Sequence, residues 1–203
     1  DFTRNEPNVL LLDKAEFALD DQDWRPSKEL LQADNDLRRD LDLPMRMSHV
    51  AQPWTVDEPT PEHTVRLRFA VHSRIQTPAS LALEDADIAA ITFNGTAVPI
   101  NVDGWFVDES IKKLALPALH VGTNVIEVAI PFGKRTNVEW CYLLGDFGVR
   151  AMGSYTLIVE RQKKLGFGDV VPQTLPFYGA NVDYHFDVEL DEEILEESEA
   201  DTI

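Results

Sequence analysis

Beyond Thr64 the chain alternates apolar and polar residues with a period of two. TVRLRFAV (64–71) places Val65, Leu67, Phe69 and Val71 on one side and Arg66, Arg68 and Ala70 on the other. A strand with one buried and one wet face has this pattern. GTNVIEVAI (122–130) repeats it with Asn124, Ile126, Val128 and Ile130 on one face. IAAITFNGTAVPI (88–100) sets Asn94-Gly95 between two strand-like runs, a strong hairpin signal because both residues accept positive φ. WCYLLGDFGV, SYTLIVE and NVDYHFDVEL read as further strands, punctuated by Gly122, Gly133, Gly145, Gly148 and Gly153. Many short strands with turn signals between them predict an all-β sandwich or jelly roll.

The period changes near the N-terminus. NVLLLDKAEFAL (8–19) reads as a strand or strand pair. Between Pro26 and Pro44, Leu30, Ala33, Leu37 and Leu41 recur at helical spacing, with charges at the other positions. One amphipathic helix laid on a sheet follows from that spacing. Residues 1–63 are therefore expected to form a strand, a helix and a lead-in packed on a sandwich of residues 64–190. Residues 191–203, mostly acidic, are expected to be a disordered tail.

Composition narrows the function classes. Of 203 residues, 44% are hydrophobic, which suits a globular domain with a real core. Eighteen basic against 36 acidic residues leave a formal net charge of -18. Such a surface repels nucleic acid and anionic membranes, so neither is an expected partner. The single cysteine, Cys141, lies in an apolar run and reads as a buried, inert thiol. One cysteine permits no disulfide within the chain, so the compartment stays open. The chain begins DFTRNEPNV without an initiator Met, and is expected to be a piece of something longer.

The triplet D-F-G in YLLGDFGV (142–149) raises the question of a magnesium-phosphate site. In kinases it follows a catalytic loop H-R-D-L-x-x-x-N. The nearest counterpart, RRDLDLPM (38–45), puts Met45 where the magnesium-binding Asn should stand, and lies far upstream. Glycine-rich and V-A-I-K elements are missing, so the kinase reading fails. Asp146, between Gly145 and Gly148, is instead expected to accept backbone N–H groups and hold a sharp turn. G-x-S-x-G and H-E-x-x-H are also absent, and the five histidines show no ligand spacing.

ITFNGTAV followed by GWFVDESIKKLALPALHVGTNVIEVAI resembles the sugar-binding-type jelly roll of family 2 glycoside hydrolases and their relatives. In that family a strand ends in an Asn-Gly turn, followed by an aromatic-rich stretch with an Asp, here Trp105, Phe106 and Asp108. A G-x-N turn, here Gly122-Thr123-Asn124, then opens the next strand. YLLGDFGV and LPFYGANVDYHF look like the closing strands of the accessory sandwich in large rhamnosidase-like glycoside hydrolases. LLDKAEFALDDQDW is similar to the segment leading from barrel to sandwich, although Asp21 and Gln22 replace the Gly-Gly common there. The resemblance spans about residues 8–190. It implies a galactose-binding-like jelly-roll β-sandwich with one N-terminal helix, partnered by the remainder of a larger glycoside hydrolase chain. The working carboxylates of such enzymes belong to a catalytic barrel, and no barrel-like alternation of strands and helices appears here. This chain alone is expected to be non-catalytic, either supporting the catalytic domain or contacting carbohydrate. The alternatives are an autonomous carbohydrate-binding module and a protein-interaction sandwich unrelated to sugars.

Carbohydrate contact calls for exposed aromatic faces and a few polar groups. Trp54, Trp105, Trp140, Tyr178 and Tyr184 are available, with Asp103 and Asp108 near Trp105. The candidate residues are Trp105, Asp103, Asp108, Trp54 and Tyr178, with Trp105 best placed because Gly104 before it suggests a loop. Each aromatic competes with an ordinary core role. NVDGWFVDE (101–109) also offers Asn101, Asp103 and Asp108 as hard oxygen ligands for a structural calcium ion. The full EF-hand pattern is missing, so a solvated acidic loop and no cofactor are expected.

Overall fold

The computed structural model describes residues 1–45 and 60–188. Its strands are β1 (Phe2–Arg4), β2 (Asn8–Leu12), β3 (Lys14–Leu19), β4 (Arg25–Glu29), β5 (His63–Ser73), β6 (Ser80–Leu83), β7 (Ala90–Phe93) and β8 (Thr96–Val98). They continue as β9 (Val102–Phe106), β10 (Asp108–Ala115), β11 (Gly122–Phe132), β12 (Cys141–Gly145), β13 (Gly148–Met152), β14 (Tyr155–Val159) and β15 (Val182–Tyr184). A helix, α1, covers Leu30–Asp40. The acidic tail expected beyond residue 190 lies outside the described residues, as does Trp54.

Two large sheets carry the fold. The first has the order β2-β12-β6-β10-β9, the second β13-β14-β5-β11-β7-β8, with β3 paired to β5 and β4 to β3. The pairings are antiparallel, apart from a single parallel bridge between Ile158 and Ser73 that joins β14 to β5. β5 is the axis of the second sheet. One edge pairs with β11 along its whole length, from His63–Phe132 to Ser73–Gly122. The other edge is shared, β3 taking Val65–Arg68 and β14 taking Ser73. The chain switches sheets at every connection from β5 to β7 and from β10 to β13. Residues before His63 supply strands to both sheets, β2 to the first and β3 to the second.

The alternating positions read from the sequence point as expected. Val65, Leu67, Phe69 and Val71 of β5 are buried, as are Asn124, Ile126, Val128 and Ile130 of β11. All of them but the polar Asn124 join Leu10, Leu81, Leu114 and Leu143 of the first sheet in one apolar cluster. The β7–β8 connection is the Asn94-Gly95 turn, with φ of 50° and 77°. Asn94 Oδ1 accepts the Val125 N–H at 2.7 Å, tying the turn to β11. The buried Asn124 keeps its polar atoms satisfied by accepting from His120 N and donating to His120 O, as a buried amide requires.

The helix starts later than Pro26. Residues 25–29 extend as β4, which pairs only with β3, and an edge position tolerates proline. Glu29 caps α1 by accepting the Gln32 N–H at 3.2 Å. Leu30, Ala33 and Leu37 are buried against the core. On the same face Asp34 and Arg38 are also buried, joined at 2.7 Å. Arg38 donates further to the carbonyls of Pro44, Lys134 and Thr136, and its guanidinium lies 5.7 Å from the Phe132 ring. One buried cation thus fastens the helix exit to the turn after β11.

The sheets differ in their outer faces. Outside the second sheet are Arg66, Arg68, Glu16, Glu127 and Trp24, with Arg68 stacked 3.8 Å from the Trp24 ring. Around β2, β6 and β12 the first sheet is apolar on both sides. In β2, Leu10 and Leu12 face the core, while Val9 packs in a second cluster with Ala82 and Leu144. An uninterrupted apolar run such as NVLLL suits a strand covered on both faces. Phe106, Ile111, Tyr142 and Phe177 pack against that second cluster.

Candidate functional site

Over the outer face of the first sheet lies a cleft of about 720 Å³, within the range of ordinary small-molecule sites. β2 contributes Val9 and Leu11, β10 contributes Ile111, and β12 contributes Tyr142. Trp105, Phe106 and Val107 enter from the β9–β10 hairpin, and Trp140 from just before β12. Glu6, Pro7 and residues 177–180 complete the lining. Six of these side chains are aromatic: Trp105, Phe106, Trp140, Tyr142, Phe177 and Tyr178.

Four of the six aromatics are held by specific contacts. Phe106 and Tyr142 meet with ring centroids 5.1 Å apart and planes inclined by 53°. Trp140 donates its indole N–H to Glu29 Oε1 at 3.1 Å, so one carboxylate caps the helix and fixes the indole. Tyr178 donates its hydroxyl to Asn181 O at 2.8 Å, and Arg4 lies 5.9 Å from the centre of its ring. Trp105 is 55% exposed and carries no such anchor among the described residues. Burial raises the Tyr142 phenol above its usual range, helped by the nearby carboxylates of Glu139 and Glu84. The hydroxyl therefore stays protonated at neutral pH.

The hairpin that brings in Trp105 is strained. Val107 is its turning residue, at φ 64° and 75% exposed. A β-branched side chain in the left-handed region is a genuine outlier, worth on the order of 1–3 kcal/mol. The β9–β10 register also shifts twice between Asp108 and Leu114. Gly104, expected in a loop, lies inside β9 at φ 137°. The exposure of Trp105 comes instead from its place on the edge strand of the sheet.

Of the candidate residues, Trp105 and Tyr178 come together in this cleft. Asp103 lies outside its lining and pairs with Lys113 at 3.6 Å. Asp108 turns back on its own strand and accepts from Ser110 N and Oγ at 2.8 and 2.7 Å. Those bonds hold its carboxyl below the usual range. Among the described residues no group of three or more His, Cys, Asp or Glu stands together to hold a metal ion. Tyr184 sits elsewhere, its ring 4.6 Å from Phe167 and its hydroxyl on Gly166 O. Tyr142 and Phe177 were not singled out by the sequence. Tyr142 stands in WCYLL, where neighbouring apolar letters hide which face it takes.

Asp146 differs from its expected role. Its carboxylate takes two arginine side chains instead of backbone N–H groups. Arg4 Nη2 lies 2.5 Å from Oδ1, and Arg161 Nη1 lies 2.9 Å from both oxygens. The flanking glycines answer to packing. A Cβ on Gly148 would stand 2.7 Å from both Glu160 O and Thr174 Oγ1. Phe147 is fully buried. The triplet is thus a strand-to-strand turn between β12 and β13.

No family model, curated protein or solved structure matches this chain.

Proposed function

We propose that this chain is a non-catalytic, galactose-binding-like jelly-roll sandwich, an accessory domain of a glycoside hydrolase, that contacts neutral carbohydrate through its aromatic cleft while supporting the catalytic domain. The jelly-roll reading is supported by two four-strand sets, β2-β12-β6-β10 and β5-β11-β7-β8, between which the chain alternates. Two interleaved Greek keys produce that order.

The observation that carries the reading is the cleft itself. Sugar rings present an apolar face of C–H groups, which an aromatic ring covers, and a rim of hydroxyls, which polar groups receive. Trp105 and Trp140 offer partly exposed indoles, and Tyr142 and Tyr178 bring phenols to the same space. Among the described residues, the lining contains one carboxylate, Glu6, and no cationic side chain. With a chain charge of -18, that chemistry suits neutral sugars and repels uronates and sulfated glycans. One carboxylate among the described lining residues does not make the pair that glycoside hydrolysis needs, and the role we assign to the cleft is contact. A groove, in place of a flat apolar patch, favours a ligand over a broad protein partner.

Trp105 and Trp140 make the test direct, because a sugar stacked on either changes indole emission. Titration with neutral oligosaccharides is expected to give saturable fluorescence changes that Trp105→Ala and Tyr178→Ala each weaken. Trp105→Ala should leave the melting temperature nearly unchanged, since the side chain is more than half exposed. Wild-type protein that shows no response to any neutral sugar would remove the reading.

A further inference from the structure

Asp146 is an exposed carboxylate held by a buried arginine. Its side chain is 64% exposed, whereas that of Arg4 is 7% exposed. Arg161, half exposed, approaches from the other side and uses only Nη1 for the pair. An ordinary surface ion pair joins two mobile side chains and contributes little. Here one partner is immobilised, so the carboxylate is fixed in place while its oxygens remain open to solvent. These three residues line a second, more polar basin of about 340 Å³.

The basin adjoins the aromatic cleft. Glu6 and Pro7 line both. Arg4 joins them physically: one side of its guanidinium bonds Asp146, and the Tyr178 ring that walls the cleft lies 5.9 Å from it. A molecule leaving the cleft over Pro7 therefore meets a carboxylate acceptor and a guanidinium donor side by side. Adjacent hydroxyls on a sugar ring, each both donor and acceptor, match such a pair.

Resting on the carbohydrate reading of the cleft, we infer that the two cavities form one binding path for a neutral oligosaccharide of at least two residues. The aromatic cleft takes the apolar face of one ring. The Asp146–Arg161 pair takes vicinal hydroxyls of the next ring, and Arg4 fixes the distance between the two parts. Asp146 and Arg161 are then chain-length determinants, which no single-ring ligand would reach.

The test is a titration of the 203-residue chain with free neutral mono-, di- and trisaccharides of the gluco-, galacto-, manno- and xylo-series. The sugar that binds best then supplies the length series. The trisaccharide is expected to bind about tenfold or more tightly than the monosaccharide, the size of a hydrogen bond to a charged group. Asp146→Asn and Arg161→Ala should each bring that ratio close to one. Arg161→Ala leaves the Arg4–Asp146 pair in place, so it carries the test even if Asp146→Asn disturbs folding. A wild-type ratio near one, or a ratio that survives both substitutions, overturns the two-part path and leaves the cleft reading standing. Binding of no sugar at all overturns both.

Discussion

Arg38 shows how one residue decides local structure. Its guanidinium neutralises Asp34 and donates to three carbonyls from two separate segments. Arg38→Met would keep much of the apolar stem but leave the Asp34 carboxylate, 1% exposed, without a counter-charge. Breaking a buried pair from one side costs about 3–5 kcal/mol. For a chain of this size that is a fall in melting temperature of about 10 °C, measured by thermal denaturation. A fall under about 3 °C would show that the pair is replaced by solvent. Cys141 is the opposite case, a residue expected to do nothing. It is buried in β12, and burial pushes its thiol up to about 12. With thiolate the reactive form, native protein should resist thiol reagents near neutral pH and react fully once unfolded in guanidinium. Rapid labelling of the native state would contradict the packing of β12. The sequence reading of Cys141 as a buried thiol needs only its apolar neighbours. The role of Asp146 was not legible in the same way, because its partner Arg4 lies 142 positions away.

At the level of elements, two junctions carry conformational cost and electrostatic support. Asp20 ends β3 in the left-handed region, φ 49°. Its carboxylate bonds His63 Nδ1 and the Thr64 N–H, both at 2.8 Å, closing β3 onto the start of β5. The His63 bond, then the Thr64 bond, hold its carboxyl below the usual 3.8. A depressed carboxylate stabilises the fold above its unfolded value, and that stabilisation is lost as pH falls through the folded value. Asp20→Asn, which tolerates the same φ, should therefore melt lower than wild type at about pH 5, with the gap closing below about pH 4. Because the side chain is 42% exposed, solvent screening keeps the gap within about 1 kcal/mol, roughly 2–4 °C. A gap that widens in acid would reverse the sign of the argument. In the β9–β10 hairpin, Val107 pays a left-handed φ that Asn tolerates better. Val107→Asn should raise the melting temperature by about 2–4 °C, the equivalent of about 1 kcal/mol. An unchanged or lower value would mean that the turn is not strained. Strands β5 and β11 were legible because one face is buried and the other wet. The edge hairpin was not, since residues 102–106 are largely exposed and its register shifts leave no steady alternation.

On the scale of the whole molecule, the all-β architecture follows from period-two patterning, and the cleft does not. Its lining comes from the N-terminal segment, β2, the β9–β10 hairpin, β10, β12 and the residue before it, and residues 177–180. Sequence patterns describe neighbours along a chain, whereas this site collects side chains from across it. Trp105 and Tyr178 could be nominated as aromatics near turn signals, but only folding brings them to one space. The same folding leaves Asp103 on Lys113 and Asp108 on Ser110, each carboxylate satisfied away from the cleft. The acidic chain and a lining without cations among the described residues together support the central proposal, that this cleft receives neutral sugar. The most direct measurement is a tryptophan-fluorescence titration of wild type and Trp105→Ala with neutral and uronate oligosaccharides of equal length. The account predicts saturable binding of a neutral sugar by wild type, weakened by about tenfold in Trp105→Ala, and no binding of the uronate. Equal responses of the two proteins, or tighter binding of the charged sugar, would contradict it.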